Sequence, residues 1–121
     1  MEFSLLVAFI IKHTLADYFL QFPFMFKEKG IYGAIGGLAH SGLHGLFTFL
    51  ILFSIFPWLA LLFGILDAVA HYHIDFLKCK FRERFDYDEN GNIYWMLHGT
   101  DQALHLLTYA IIIGLLPLWE K

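Results

Sequence analysis

The chain has 121 residues, of which 59% are hydrophobic and only 16% charged, and its mean hydropathy is +0.61. Soluble domains average roughly 45–50% apolar and about 25% charged residues, so this composition indicates a membrane protein. At a formal net charge of −3, the chain has no block of basic residues interleaved with aromatics that would indicate nucleic-acid binding. Its single cysteine excludes an intrachain disulfide and any cysteine-based metal site.

Four apolar segments are long enough to cross a bilayer, which requires about 20 mainly apolar residues. They lie at about 3–22, 34–56, 58–78 and 98–118. The connection at Pro57 is very short, so the second and third segments should form an antiparallel hairpin. The sequence therefore predicts an all-α, integral membrane four-helix bundle that forms a single domain over residues 1–121.

Basic residues in the short loops predict how the bundle is oriented. The loops after the first and third segments contain Lys27, Lys29, Lys80, Arg82 and Arg84, whereas the opposite side has only Lys121 and the amino terminus. We therefore expect loops one and three in the cytoplasm and both termini outside. The third loop, residues 79–97, is polar and aromatic, and its pattern fits either a small β-hairpin or an amphipathic segment at the interface.

Each apolar segment contains histidine or aspartate residues three or four positions apart, which places their side chains on one face of a helix. The sets are His13/Asp17, His40/His44, Asp67/His71/Asp75 and His98/Asp101/His105. All four fall toward the cytoplasmic ends of their segments, so we expect one shared site. An aspartate at mid-bilayer costs about 2.5–3.5 kcal/mol, so four of them need compensation by protons, imidazolium groups or metal ions.

Imidazole and carboxylate ligands together suit Zn²⁺, Mn²⁺ or Fe²⁺. Two divalent ions would neutralise four carboxylates, which favours a dinuclear site, most simply of zinc. The predicted metal ligands are His13, Asp17, His40, His44, His71, Asp75, Asp101 and His105. Asp67 and Asp75 are the candidate catalytic acids, with Asp67 as a general base or a support for a ligand. Gln21, Lys78 and His98 are expected to assist from the edge of the site.

The run His13–Gln21 resembles the His-x3-Asp-Phe-x-Leu-Gln opening of domain-of-unknown-function family 3307. The later pieces also fit, namely His40 and His44, the His71-to-Asp75 run followed by Lys78, and Asp101-Gln102 with His105. The resemblance spans nearly the whole chain. It implies a small polytopic membrane protein of a bacterium or its phage, located in the inner membrane, and it brings no established activity.

The residues point first to a membrane-embedded metal-dependent hydrolase, because a bound metal ion activates water and polarises a carbonyl or phosphoryl oxygen. The depth of the site near the headgroups suggests a lipid or lipid-linked substrate. The alternatives are a divalent-cation or proton transporter or channel, a di-iron redox protein, and a protein whose metal or polar core is purely structural. Transport needs polar residues through both leaflets, and here the outer half is apolar, although a homo-oligomer could form a pore elsewhere.

Overall fold

The structure is a computed structural model that describes residues 1–85, 88 and 90–119. Within this part of the chain all regular structure is helical, which confirms the all-α prediction. Its elements are α1 (Glu2–Thr14), a π-helix (Leu15–Phe19), α2 (Pro23–Glu28), α3 (Ile35–Phe53), α4 (Pro57–Phe85), α5 (Asn92–Leu115) and a closing 3₁₀-helix (Leu116–Trp119).

Among the described residues, three helices are long and apolar enough to cross a membrane, and they indicate a membrane protein. They comprise residues Ile35–Phe53, Pro57–Phe85 and Asn92–Leu118. The first predicted span is not among them, because the thirteen residues of α1 rise only about 20 Å. A bilayer core is about 30 Å thick. The helical path continues as the π-helix and ends at Phe19, so Gln21 lies beyond it.

α3 and α4 form the hairpin expected at Pro57, and two glycines let their backbones approach. A Cβ added to Gly45 would lie 2.5 Å from the carbonyl oxygen of Gly64, and one added to Gly64 would lie 2.8 Å from that of Gly45. Both distances are shorter than van der Waals contact. Larger residues at either position would therefore push the two helices apart.

The predicted loop at residues 79–97 is much shorter in the structure, because α4 continues to Phe85 and α5 begins at Asn92. No glycine or proline interrupts residues 79–85, and a 2.7 Å ion pair between Lys80 and Glu83 supports this part of the helix. The β-hairpin expectation fails for the described residues of this loop. Asp86, Tyr87 and Glu89, which belong to the same expectation, lie outside the described residues.

The distribution of burial is the reverse of that in a soluble protein. Large apolar side chains face outward, with Phe3, Ile35 and Trp58 exposed by 78%, 75% and 94%. Polar residues fill much of the interior, namely Lys12, His13, His40, Ser41, His44, Thr48, Asp67, His71, Asp75, Asp101 and His105. An apolar exterior of this extent fits lipid contact.

The interior divides into an apolar half and a polar half. The apolar half comes from the first residues of α1 and α4 and the last residues of α3 and α5. It comprises Leu5, Phe9, Leu52, Phe56, Ala60, Phe63, Tyr109, Ile112, Ile113 and Leu116. The histidines and aspartates lie at the opposite ends of the same helices. The histidine and aspartate sets, which the sequence predicts at one depth in the membrane, are thus neighbours in the fold.

Candidate metal centre

Four side chains from three helical segments bring possible ligand atoms together in the polar half. They are Asp17 from the π-helix, His40 and His44 from α3, and His71 from α4, and we call them the four-ligand set. One ligand atom from each lies within 4.8 Å of all the others. Asp17 Oδ1 is 3.2 Å from His40 Nε2, 3.1 Å from His44 Nε2 and 3.8 Å from His71 Nε2.

These separations fit ligands arranged around a single cation. Tetrahedral ligands at 2.0–2.1 Å from Zn²⁺ are about 3.3 Å from one another. The Nε2 atoms of His40 and His71 are 3.1 Å apart, although two neutral imidazoles can share at most one proton there. The ring of His71 also stacks on those of His44 and His105, with centroids 3.5 and 4.0 Å apart. Two protonated imidazoles this close together would repel each other, which disfavours charging the whole stack.

A second group of possible ligands adjoins the first through His71. His71, Asp75 and His105 again bring ligand atoms within 4.8 Å of one another. His105 Nε2 is 3.4 Å from Asp75 Oδ1 and 3.4 Å from Asp101 Oδ1. Within the described part of the chain, neither His105 Nε2 nor Asp101 Oδ1 has a hydrogen-bond partner, although both are buried. Unpartnered buried polar atoms are rare in folded proteins, so these two suit a bound cation.

The two groups cannot both use the same nitrogen of His71. An imidazole Nε2 has one lone pair, so it binds one ion. When His71 binds the ion of the four-ligand set, a second ion would have Asp75, His105 and the neighbouring Asp101 as its ligands. We call these three residues the second set.

A local change of helix type places Asp17 in the site. Across the π-helix, the Leu20 amide donates to the Leu15 carbonyl at 2.9 Å, which adds one residue to the turn. Such π segments are frequent at functional sites. The Gln21 side-chain amide donates to the Asp17 backbone carbonyl at 3.0 Å, so Gln21 supports this segment.

His13, predicted as a ligand, belongs to neither group and instead holds Asp17. Its Nε2 lies 3.2 Å from Asp17 Oδ2 and 3.0 Å from Gln102 Oε1. Its Nδ1 lies 2.8 Å from the hydroxyl of Tyr109, which is fully buried. Sequence reasoning assigned no role to Tyr109. The available signal was its position one helical turn after His105, on the same face of α5.

Asp67, predicted as a catalytic acid, has partners of its own away from both groups. Its Oδ2 accepts hydrogen bonds from the Lys12 ammonium and from the Thr48 hydroxyl, the latter at 2.6 Å. The Lys12 and Asp67 side chains are only 4% and 1% exposed, so this is a deeply buried ion pair. The Lys12 ammonium also donates to the His44 carbonyl at 3.3 Å, which links the pair to α3.

Two further lysines neutralise aspartates at the edge of the site. Lys29 Nζ lies 2.7 Å from Asp75 Oδ2, and Lys78 Nζ lies 2.8 Å from Asp101 Oδ2. Lys78 Nζ also lies 3.3 Å from His98 Nδ1, which places His98 beside the second set.

These lysines change the charge argument for two metal ions. Each of three aspartates has a lysine partner, so one negative charge remains when the imidazoles are neutral. A single divalent ion more than balances that charge. The expectation of two ions, which counted the aspartates alone, therefore loses its electrostatic basis.

A cavity of about 480 Å³ adjoins the site at the end of the bundle that carries the α1–α3 and α4–α5 connections. Asp17, Asp75 and Asp101 form its wall toward the ligands. Its other charged lining residues are Lys27, Lys29, Lys78, Arg82 and Glu83. The cavity therefore reaches the aspartates of both ligand groups.

The family model described as Protein of unknown function (DUF3307) matches residues 5–119, and the chain belongs to this family. The match confirms the resemblance indicated by the His13–Gln21 motif. No curated protein and no solved structure matches the chain.

Proposed function

We propose that this member of the DUF3307 family is an integral membrane metal-dependent hydrolase that acts on a lipid or lipid-linked substrate. One observation carries the proposal, the convergence of the four-ligand set beside a cavity whose wall includes Asp17 and Asp75. A buried metal site that can be reached through a cavity is suited to chemistry on a bound molecule.

We further propose zinc as the ion, with Mn²⁺ or Fe²⁺ as the alternatives that the same ligands accept. The four-ligand set would hold the tighter ion, and the second set would hold a weaker one. When bound, such an ion lowers the pKa of a coordinated water and polarises a carbonyl or phosphoryl oxygen. With two divalent ions bound, the four positive charges of the ions and the three of the lysines exceed the four negative charges of the aspartates by three. The second ion should therefore bind well only together with an anion.

The proposal gives Asp75 and Asp17 distinct roles. Asp75 lines the cavity and has oxygens 3.4 Å from both His71 and His105, so it can accept a proton from a reacting water. Asp17 directs Oδ1 toward the ligand histidines, while His13 fixes its Oδ2. We propose a structural role for Asp67, because Lys12 and Thr48 bind its Oδ2 and it is not among the residues that line the cavity.

The finer membrane arrangement is also part of the proposal. The thirteen residues of α1 and the five of the π-helix together rise about 27 Å, close to the thickness of a bilayer core. This segment would be the fourth span. Lysines and an arginine surround the mouth of the cavity, so we place that end in the cytoplasm. In a bacterium the membrane would be the inner membrane.

Two other functions remain distinguishable by experiment. A purely structural metal is favoured by one feature, since four protein ligands around one ion are typical of structural zinc. Transport of a cation or proton by a single chain is disfavoured, because the described residues of the apolar half form a hydrophobic cluster across the path. An oligomer could form such a path between subunits.

The test compares metal-dependent turnover in matched variants. The untagged protein, purified in mild detergent and loaded with Zn²⁺, Mn²⁺ or Fe²⁺, is mixed with bacterial lipid extract, and the products are identified by mass spectrometry. His71→Asn should lose metal and activity. His73→Asn should keep both, because His73 is exposed and lies outside the ligand groups. Asp75→Asn should keep the tighter ion and lose activity. A metal-loaded wild type that releases no product would instead favour the structural role.

A further inference from the structure

We propose that the cavity binds a phosphate group, with Lys29 and Lys78 as its donors, and that the substrate is therefore a phosphate ester. This inference rests on the proposed function and narrows it, because it selects phosphoryl over carbonyl chemistry. The shared ligand chemistry is a phosphate oxygen, whether it belongs to a lipid headgroup or to free phosphate.

The two lysines lie at the ends of one continuous polar chain. Lys29 Nζ is 2.7 Å from Asp75 Oδ2, and Asp75 Oδ1 is 3.4 Å from His105 Nε2. His105 Nε2 is also 3.4 Å from Asp101 Oδ1, and Asp101 Oδ2 is 2.8 Å from Lys78 Nζ. Each aspartate thus directs one oxygen toward His105 and the other toward a lysine. Both ammonium groups adjoin an aspartate of the second set, and both lysines line the cavity.

Both lysines have N–H donors left for a ligand. An ammonium group carries three N–H donors. Lys29 is engaged only in its ion pair with Asp75, while Asp101 and His98 take two N–H donors from Lys78. Both side chains line the cavity and are only 12% and 30% exposed. Partial burial strengthens their attraction for an anion, and lysine is a common phosphate ligand in proteins.

The charge of the cavity explains why phosphate should bind more tightly after the metal ion has bound. Among the described residues, its four cationic side chains are matched by the four acids that also line it. A divalent ion bound by the neighbouring ligands would make the region positive. Phosphate would then satisfy both the lysine donors and the excess charge of the metal. Phosphate affinity is therefore expected to rise on metal loading.

The size and the lining of the cavity fit a phosphate with an organic substituent. Its volume of about 480 Å³ exceeds what a bare phosphate needs and is within the range of small-molecule sites. Tyr18, Phe26 and Tyr94 add aromatic surface to the lining. These rings suit the alcohol or glycerol part of an amphiphile, which leaves its phosphate for the lysines.

The experiment measures binding by calorimetry with the full chain in mild detergent, before and after zinc loading. The probes are inorganic phosphate, dihexanoyl phosphatidic acid and, as a carboxylate comparison, hexanoate. The variants are Lys29→Gln and Lys78→Gln, with Lys80→Gln as the control, because Lys80 is exposed and does not line the cavity. Each variant is also checked for bound zinc and for a monodisperse elution profile.

We expect Lys29→Gln and Lys78→Gln to keep the tighter zinc ion and to lose phosphate affinity about tenfold or more each, the range for a charge-assisted hydrogen bond. Lys80→Gln should bind as the wild type does. If Lys29→Gln is misfolded, Lys29→Arg supplies the second variant and should retain binding. Tighter binding of dihexanoyl phosphatidic acid than of inorganic phosphate would identify the lipid source. The reverse order would identify free phosphate as the ligand and would contradict a phosphate-ester substrate.

Two results would overturn the phosphate site. One is wild-type affinity for phosphate in folded Lys29→Gln and Lys78→Gln proteins. The other is binding of hexanoate as tightly as the phosphate probes. Failure of the proposed function gives a different result, namely a wild type that takes up no metal. Lysine-dependent phosphate binding by such a metal-free protein would still support the anion site.

Discussion

Replacing Lys12 by methionine is expected to destabilise the protein strongly. The change removes the cation that neutralises Asp67, while the carboxylate stays buried at 1% exposure. Thr48 would remain as a hydrogen-bond donor, and it carries no charge. Removing one partner of a buried ion pair typically costs about 3–5 kcal/mol, because the other charge is left uncompensated.

The double substitution Lys12→Met with Asp67→Leu tests the cause of that loss. Replacing a buried pair by apolar residues of similar volume is often neutral or stabilising by about 1–4 kcal/mol. The Thr48 hydroxyl loses its acceptor, but it can bond to a carbonyl one turn earlier in α3. The double variant should therefore recover most of the stability that the single variant loses.

The stability of both variants is measured in mild detergent. Circular dichroism follows their unfolding against temperature and against added dodecyl sulfate. The double variant should also bind metal as the wild type does, because Asp67 lies outside the ligand groups. The reasoning is refuted if the single variant is as stable as the wild type. It is equally refuted if the double variant is no more stable than the single one.

Three further predictions concern packing, ligand support and orientation. Gly45→Ala should lower thermal stability by separating α3 from α4, whereas Gly42→Ala should have little effect because a Cβ there meets nothing within 4 Å. Tyr109→Phe removes the hydroxyl that contacts His13, and it should weaken metal affinity about 10–100-fold at unchanged stoichiometry, as measured by competition with a chelating dye. Lys80→Cys, in a chain without its native cysteine, should react with a membrane-impermeant maleimide only after spheroplasts are permeabilised.

Each of these predictions has an opposite outcome. Equal melting temperatures of Gly45→Ala and Gly42→Ala would show that α3 and α4 can separate without cost. Unchanged metal affinity in Tyr109→Phe would show that His13 needs no support from this hydroxyl. Labelling of Lys80→Cys in intact spheroplasts would invert the proposed orientation.

The α3–α4 hairpin was predictable because its signal is local. Long apolar runs interrupted by Pro57 define two helices, and the short connection leaves them only an antiparallel arrangement. The end of the first helix was not predictable, because a switch to a π-helix depends on tertiary packing. Polarity alone did not predict the extension of α4 to Phe85, because polar residues are typical of loops and yet none of those at 79–85 breaks a helix.

Helical spacing predicts much of the candidate metal centre. His40 and His44, like His71 and Asp75, lie one turn apart. The fold brings the ligand atoms of the first three together with that of Asp17, and that of Asp75 together with those of His71 and His105. Spacing within one helix cannot show contacts between helices, so the partners of the aspartates were missed. Lys12 and Lys29 are the clearest cases, because each pairs with an aspartate far along the chain.

Elemental analysis of the untagged protein, purified in mild detergent without chelators, tests most directly whether the His/Asp cluster is a metal site. The wild type and His73→Asn are expected to contain at least one equivalent of zinc, manganese or iron per chain. His71→Asn should contain far less, because His71 belongs to both ligand groups. A wild type that contains no metal even after supplementation, or a folded His71→Asn protein with undiminished metal, would contradict the account.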